Sequence, residues 1–209
     1  MSTLFALLLL APSFVSAAIL DVTLGEKTEE TVTLASKAKL ETMDRKFTLT
    51  PVGHGLRYKK VVFVKAKVYV GQLFLSRPEG FVKTADGALA SLSTSPAVAM
   101  QLTFLRDVEA KALESAFVDA FKENGIGTTE GPVANFLAAV KAGGGAKEKK
   151  SLVVAGELMG DVETVIYEDA EGKATTVSGG PGFVRQVFSL WLGKPTDGGV
   201  ESFKKDLLR

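Results

Sequence analysis

Apolar residues alternate with polar ones over a long segment in the first half of the chain, and this alternation predicts a β-strand. The segment runs from Gly53 to Val70, and its alternating apolar positions are Val62, Val64, Ala66, Val68 and Val70. It is rich in β-branched and aromatic residues, and a Gly-x-Gly turn introduces it. We therefore expect one long strand, which begins at that turn and continues through Leu75.

Shorter segments of the same character predict the other strands. A polar segment rich in Thr, Glu and Lys, from Asp21 to Lys46, predicts a peripheral strand pair or arm. Segments bounded by glycine, proline or charged turns predict further strands. These are Phe47–Val52, Ala97–Leu105, Leu152–Ala155, Val162–Tyr167 and Ala174–Val177, and the last two form a hairpin.

Two helices are predicted after the strand that ends at Leu105. Apolar residues recur there at a spacing of three and four, which is typical of a helix with one buried face. Asp107 suits the N-cap of the first helix, and Gly125 suits its C-terminal end. The second helix is predicted from about Val133 to Lys141.

Two more helices are predicted near the C-terminus. Pro181 suits the first position of one helix and Gly193 its end, and the last helix follows Pro195. Strands are thus followed by helices that can cover them. This order predicts an α+β fold, an open-faced sandwich in which a large, mostly antiparallel sheet is covered on one face by a layer of helices.

Composition and charge indicate one globular domain. The chain has 209 residues, a formal net charge of +1 and no cysteine. A chain of this length buries a sufficient core without disulfides or metals. The balanced charge argues against nucleic-acid binding. A single histidine, His54, among dispersed carboxylates argues against a metal site. We therefore expect neither a metal nor a cofactor.

The N-terminus has the pattern of a signal peptide. Residues 4–11 form an apolar run, and Val15-Ser16-Ala17 or Ser16-Ala17-Ala18 supplies the small residues of a cleavage site. We expect a signal peptide over residues 1–18, one domain over residues 19–209, and a periplasmic location. No Lys or Arg precedes the apolar run, so an uncleaved membrane anchor is the alternative, although Pro12 and Ser13 leave the run short for a membrane span.

Several segments, in the right order, are similar to one known family. They are Gly53–Arg57 with Phe63–Tyr69, Leu102–Val108, Gly182–Phe183 and Phe188–Gly193. From about Thr48 to the C-terminus the chain resembles the chalcone isomerase-like family, and it looks closest to the secreted bacterial members. The resemblance implies the open-faced α+β fold, with a ligand cleft between the sheet and the helices.

The resemblance also implies a role for Arg57. In the plant isomerases the matching arginine faces the cleft and stabilises an anionic oxygen during ring closure. In the fatty-acid-binding relatives it pairs with the lipid carboxylate. The hydroxyl groups of the isomerases do not carry over, because Val64 stands where those enzymes have a threonine and residues 107–110 contain no tyrosine. Polarising a ketone needs such hydroxyl groups.

Three residues are candidates for a ligand site: Arg57, Phe63 and Tyr69. By strand alternation they share one face, whereas a bulge near Val61 and Val62 would place Arg57 in the row of Val64 and Val68. A solvated arginine at the edge of the sheet is the alternative interpretation of Arg57.

We predict an exported, non-catalytic protein that binds a small lipophilic anion, a fatty acid or similar carboxylate or a phenolic ligand. One alternative is an intramolecular lyase of the chalcone isomerase type, for which no catalytic residue can be named. Another is a scaffold or interaction protein whose cleft is filled by its own side chains. A membrane would be contacted only through the transient signal peptide.

Overall fold

A computed structural model of the protein describes residues 18–61 and 64–209. Eight strands form one sheet in which every strand pairs antiparallel with its neighbours in sequence. They are β1 (Leu20–Glu29), β2 (Val32–Glu41), β3 (Lys46–Val61), β4 (Val64–Leu75), β5 (Ala97–Phe104), β6 (Ser151–Met159), β7 (Val162–Glu168) and β8 (Ala174–Gly179).

Five helices accompany the sheet within the described residues. They are α1 (Ala88–Ser91), α2 (Ala110–Glu123), α3 (Gly131–Gly143), α4 (Phe183–Leu192) and α5 (Gly198–Leu207). Short 3₁₀ turns at Pro78–Gly80 and Leu92–Thr94 lie between β4 and β5. The predicted α+β class with a large antiparallel sheet is confirmed, and so is the strand pair predicted for Asp21–Lys46.

The prediction of a single long strand from Gly53 to Leu75 is wrong. The segment forms two antiparallel strands, β3 and β4, and Val61 pairs with Val64 at the end of the hairpin. Residues 62 and 63 are outside the described part of the chain. No glycine, proline, asparagine or aspartate occurs between Leu56 and Val70. The alternating pattern therefore gives no sign that the chain reverses direction there.

The Gly-x-Gly pair does not form the turn that we predicted. Gly53 and Gly55 lie inside β3, in register with Leu73 and Gly71 of β4. A Cβ atom at Gly53 would overlap the carbonyl oxygen of Leu207, and one at Gly71 would overlap the ring of Phe203. These glycines are therefore required because they let α5 pack directly against the backbone of the sheet.

One face of the sheet packs against the helices and forms the larger core. Alternate residues of β4 to β8 point to this face, as expected for pleated strands. The largest fully buried side chains of this core are Leu73, Leu75, Leu92, Phe104, Phe121, Phe136, Tyr167, Phe188 and Phe203. This layer of helices is the one that the sequence predicts.

The opposite face carries a smaller core beneath the β1–β2 hairpin. Phe74, Ala99, Val153 and Ile166 pack there against apolar residues of β1 and β2. The amide side chain of Gln72 reaches across this layer, accepting a hydrogen bond from the backbone N–H of Ala35 at 2.8 Å and donating to its carbonyl at 3.2 Å. β2 is joined to the rest of the sheet by its pairing with β3. Since β1 and β2 also pack on this face, this end of the sheet folds over the remainder.

Two predicted helix starts are wrong by two residues. Glu109 and not Asp107 is the N-cap of α2, because the Asp107 carboxylate accepts hydrogen bonds from the Glu148 backbone and the Lys147 ammonium. Helix α4 begins at Phe183 and not at Pro181. The buried Glu163 carboxylate accepts hydrogen bonds from the backbone N–H groups at the start of α4. This cap comes from a neighbouring strand and has no local sequence signal.

Within residues 18–61 and 64–209, none of the helices is long and apolar enough to cross a membrane. The predicted signal peptide falls outside the described residues except for Ala18, which is exposed.

Candidate functional site

A cleft of about 380 Å³ lies between the β3–β4 hairpin and helices α2, α4 and α5. Its walls are mostly apolar, and charged groups reach it from β3 and from the segment between β5 and α2. The lining residues are Arg57, Lys59, Ala66, Val68, Tyr69, Phe104, Arg106, Asp107, Val108, Glu109, Ala112, Leu113, Ala116, Phe117, Ala120, Leu190, Trp191, Thr196 and Val200.

Arg57 and Tyr69 are direct neighbours in the cleft because they are paired across β3 and β4. The register shifts immediately beyond this pair. Tyr58 pairs with Lys67, so Val68 is an extra residue in β4. Val68 lines the cleft together with Tyr69, although the two are adjacent in sequence. From the sequence, a bulge was considered near Val61 and Val62. The structure has it at Val68, opposite Arg57 and Tyr58. Phe63, the third candidate, lies outside the described residues.

The Arg57 guanidinium is largely buried and forms an ion pair with Asp197. Its Nη2 lies 2.7 Å from Oδ2 of Asp197, and the Arg57 side chain is only 12% exposed. The other carboxylate oxygen of Asp197 accepts hydrogen bonds from the backbone N–H groups of Gly199 and Val200 and so caps α5. The ion pair therefore ties the start of α5 to the sheet.

The environment of Asp197 favours its ionised form. Burial by itself would raise the pKa of Asp197, but hydrogen bonds from the Val200 backbone and from Arg57 outweigh it, and the pKa is lowered. Arg57 thus faces an anion of its own protein at neutral pH. The interpretation of Arg57 as a solvated edge residue is wrong.

One nitrogen of Arg57 has no partner. Nη1 is buried, lies against Gly199, and is one of two buried polar side-chain atoms without a hydrogen bond in the described part of the chain. The other is the Tyr167 hydroxyl. An unpaired buried donor is costly, and native structures rarely keep one without a reason. Arg57, which lines the cleft, therefore has a buried hydrogen-bond donor without an acceptor.

Tyr69 adds a phenol beside the arginine. Burial raises the pKa of Tyr69 to about 12, although Arg57 and a hydrogen bond from Trp191 lower it and Asp197 adds to the rise. The phenol therefore keeps its proton at neutral pH and can donate it in a hydrogen bond. Edge-to-face contacts with Phe104 and Phe203, at centroid distances of 5.4 Å each, hold the ring in place.

Charged groups of both signs surround the cleft mouth. Lys59, Arg106, Asp107 and Glu109 are exposed and line this rim. The pKa of Asp107 is lowered, first by the hydrogen bond from the Glu148 backbone and then by the one from Lys147. A carboxylate held in its ionised form is a weak base, which argues against Asp107 as a proton acceptor at neutral pH.

His54 is the single histidine of the chain. His54 lies away from the cleft, and its Nε2 is 3.9 Å from a carboxylate oxygen of Glu29. No group of three or more metal-ligating side chains occurs in residues 18–61 and 64–209. The cleft therefore combines a cationic donor, a neutral phenol and apolar walls.

Sequence reasoning missed two residues of this site, Asp197 and Trp191. Asp197 precedes two glycines at the start of a helix, which is an N-cap signal that could have been recognised. Trp191 was identified only as an apolar residue of a helix. Its position beside Tyr69 depends on how α4 packs on the sheet, and no local pattern reports that.

Comparison with known proteins indicates a family. No curated protein matches the chain in sequence. A family model described as chalcone isomerase-like matches residues 26–209. The match covers β2 to β8 and all the helices, and it includes every residue that lines the cleft. The chain therefore belongs to the chalcone isomerase-like family.

Proposed function

We propose that the protein is exported and that its cleft binds a small lipophilic carboxylate without catalysing a reaction. The observation that carries the proposal is the unpaired Nη1 of Arg57, a residue that lines a mostly apolar cleft. A carboxylate oxygen is the acceptor that a buried guanidinium prefers, because a charge-assisted hydrogen bond is shorter and stronger than a neutral one.

The surroundings of Arg57 suit a head group at this end of the cleft. The ligand carboxylate would accept one hydrogen bond from Nη1 of Arg57 and one from the Tyr69 phenol, which stays protonated. The rest of the ligand would lie against apolar side chains such as Phe104, Leu113 and Phe117. A volume of about 380 Å³ falls near the lower end of the range for small-molecule sites, about 300–1,000 Å³.

Asp197 limits how strongly Arg57 attracts an anion. The carboxylate already offsets the charge of the guanidinium, so the ligand would share Arg57 with it. The affinity should therefore come from apolar burial and from the free Nη1 donor, and less from net charge. A fatty acid should bind better than its methyl ester by only about tenfold, since the ester keeps the apolar chain and one acceptor oxygen.

The experiment is a titration followed by the fluorescence of Trp191, which is the only tryptophan of the chain and lines the cleft. Purified protein is titrated with fatty acids of increasing length, and with the methyl ester and the alcohol of the same length. We expect saturable quenching or a spectral shift, with the acid tightest. Equal affinity for acid and alcohol would contradict the carboxylate head group. No binding of any of them, with no acyl chain in a lipid extract, would favour the self-filled scaffold.

The phenol of Tyr69 favours one catalytic alternative, an intramolecular lyase of the chalcone isomerase type. A protonated phenol beside a guanidinium can polarise a carbonyl oxygen, and Thr196 adds a second hydroxyl-bearing residue to the lining. Incubation with a chalcone, monitored by the loss of its visible absorbance, tests this directly. Turnover above the spontaneous rate that disappears in Tyr69→Phe would establish an enzyme. An unchanged rate would support the binding protein.

A further inference from the structure

A second buried charged group lies on the other side of the sheet, at the beginning of the described chain. Glu168 of β7 is 6% exposed, and its Oε2 accepts a hydrogen bond from the backbone N–H of Ile19 at 2.7 Å. Ile19 is also buried, at 9% exposed, and belongs to the smaller core. Ala18, one residue earlier, is exposed.

Glu168 has no cation beside it. None of the salt bridges among residues 18–61 and 64–209 includes it. The charged side chain that shifts its pKa is Asp169, which has the same sign. Burial raises the pKa of Glu168, the Ile19 N–H bond opposes this, and Asp169 adds to the rise. A buried carboxylate without a cation is unfavourable and normally has a charged partner.

The two cleavage sites predicted from the sequence differ by one residue, and only one of them supplies that partner. Hydrolysis of the Ala18–Ile19 peptide bond consumes one water and leaves a carboxylate on Ala18. The amine that it releases on Ile19 takes up a proton. The nitrogen that now donates to Glu168 would become an ammonium at the same position. Hydrolysis after Ala17 would leave the ammonium one residue away, on the exposed Ala18.

We propose that a signal peptidase cleaves after Ala18 and that the new Ile19 ammonium forms a buried ion pair with Glu168, which fastens the N-terminus to β7. The inference rests on the export part of the proposed function and is independent of the ligand. In the processed protein this pair holds the start of β1 over the smaller core. The uncleaved chain has only a neutral N–H at this point. Processing would thus complete the fold on this face.

The first test is the N-terminal residue of the protein exported from a cell that carries the full gene. Mass spectrometry should give a chain that starts at Ile19. A start at Ala18 would overturn the proposed pair while leaving export intact. A retained Met1 would overturn both. None of these results tests the ligand proposal, because the Trp191 titrations of the cleft do not depend on the N-terminal residue.

The second test compares chains that start at Ile19 and at Ala18, produced by removal of a fusion partner that leaves no extra residue. Glu168→Gln is made in both. In the Ile19 chain it should increase the unfolding equilibrium constant by about tenfold or more in urea denaturation. In the Ala18 chain it should produce no increase, because there it removes a buried carboxylate that has no cationic partner and leaves an amide oxygen that can still accept from the Ile19 N–H.

Glu163→Gln is the matched control, since Glu163 is equally buried and also accepts backbone N–H bonds, at the start of α4. Its effect should be the same in both chains. An equal effect of Glu168→Gln in both chains would overturn the pair. If the variant fails to fold, acylation of the α-amine decides. The Ile19 amine should react at least about tenfold more slowly than the Ala18 amine, because it is buried and protonated. Equal rates would also overturn the proposal.

Discussion

Arg57 on one face of the sheet and Glu168 on the other are both largely buried charged side chains, and their surroundings differ. On the helix side, Arg57 has a carboxylate partner in Asp197 and still keeps a free donor beside a cleft of about 380 Å³. On the hairpin side, Glu168 has only a backbone N–H as partner and is enclosed by packed side chains. The helix side therefore offers a mostly apolar cleft and a hydrogen-bond donor to a ligand. On the hairpin side, pockets lie along β1 and β2, but Glu168 lines none of these three pockets.

The difference follows from what covers each face. Helices α2 and α4 face the β3–β4 hairpin across the cleft, whereas α5 packs closely on the sheet at Gly53 and Gly71. The β1–β2 hairpin is an extension of the sheet itself and packs flat on the opposite face with small residues such as Ala35 and Ala38. Single substitutions on the helix side test this difference between the faces, through their effects on ligand affinity and on stability.

The largest effect is expected for Arg57→Ala. A bound carboxylate would lose its charged partner, and the affinity for a fatty acid should fall by about 2–4 kcal/mol. Arg57→Lys should restore only part of this, because an ammonium lacks the planar fork of the guanidinium. Trp191 fluorescence titration measures both. Arg77→Ala is the matched control, since Arg77 is exposed at the far end of β4 and should leave the affinity unchanged. Unchanged affinity in Arg57→Ala would mean that Arg57 does not bind the carboxylate, and the proposed difference between the two faces would fail.

Gly53→Ala should have the next largest effect, and on stability. The added methyl group would overlap the Leu207 backbone, so α5 must move away from β3. Overpacking of this kind costs about 1–3 kcal/mol. Urea denaturation measures the loss. Gly127→Ala is the control, because nothing lies near a Cβ at that loop position. If Gly53→Ala were as stable as the control, close packing of α5 would not be what the glycine provides.

Asp197→Asn should have opposite effects on stability and binding. Asparagine can still cap α5, but the charge that offsets Arg57 disappears. The protein should lose about 1 kcal/mol of stability, since the pair is partly exposed. The affinity for a fatty acid should rise by about threefold to tenfold, because the guanidinium is no longer shared. Weaker binding in this variant would mean that Asp197 positions Arg57 for the ligand and does not compete with it.

The smallest effect is expected for the pH dependence of the stability that the Arg57–Asp197 ion pair contributes. The folded-state pKa of Asp197 lies below its ordinary value of 3.8, so the ionised carboxylate stabilises the folded state above that value. This contribution is lost as the pH falls through the folded-state pKa. The stability difference between wild type and Asp197→Asn should be constant near neutral pH and should shrink below pH 3.8. Urea denaturation at a series of pH values measures it, and a difference that grows in acid would contradict the assignment.

Much of the architecture could be predicted from local patterns. Alternating apolar residues identified the strands of the sheet, and apolar residues three and four apart identified α2 to α5, because both periods reflect burial of one side of an element. The sequence also indicated the family, and it pointed to Arg57 and Tyr69, which the structure places opposite each other. The hairpin between β3 and β4 was not predicted, because no glycine, proline, asparagine or aspartate marks its turn.

The tertiary structure alone decided which charges meet. Asp197 is 140 residues from Arg57, and Glu168 is 149 residues from Ile19. The sequence determined that Arg57 sits in a strand with apolar neighbours, because alternation is a local property of the chain. It could not determine that a helix cap 140 residues away would occupy one side of the guanidinium and leave the other free. Pairing of buried charges depends on how elements pack, and packing brings together residues whose separation along the chain carries no local signal.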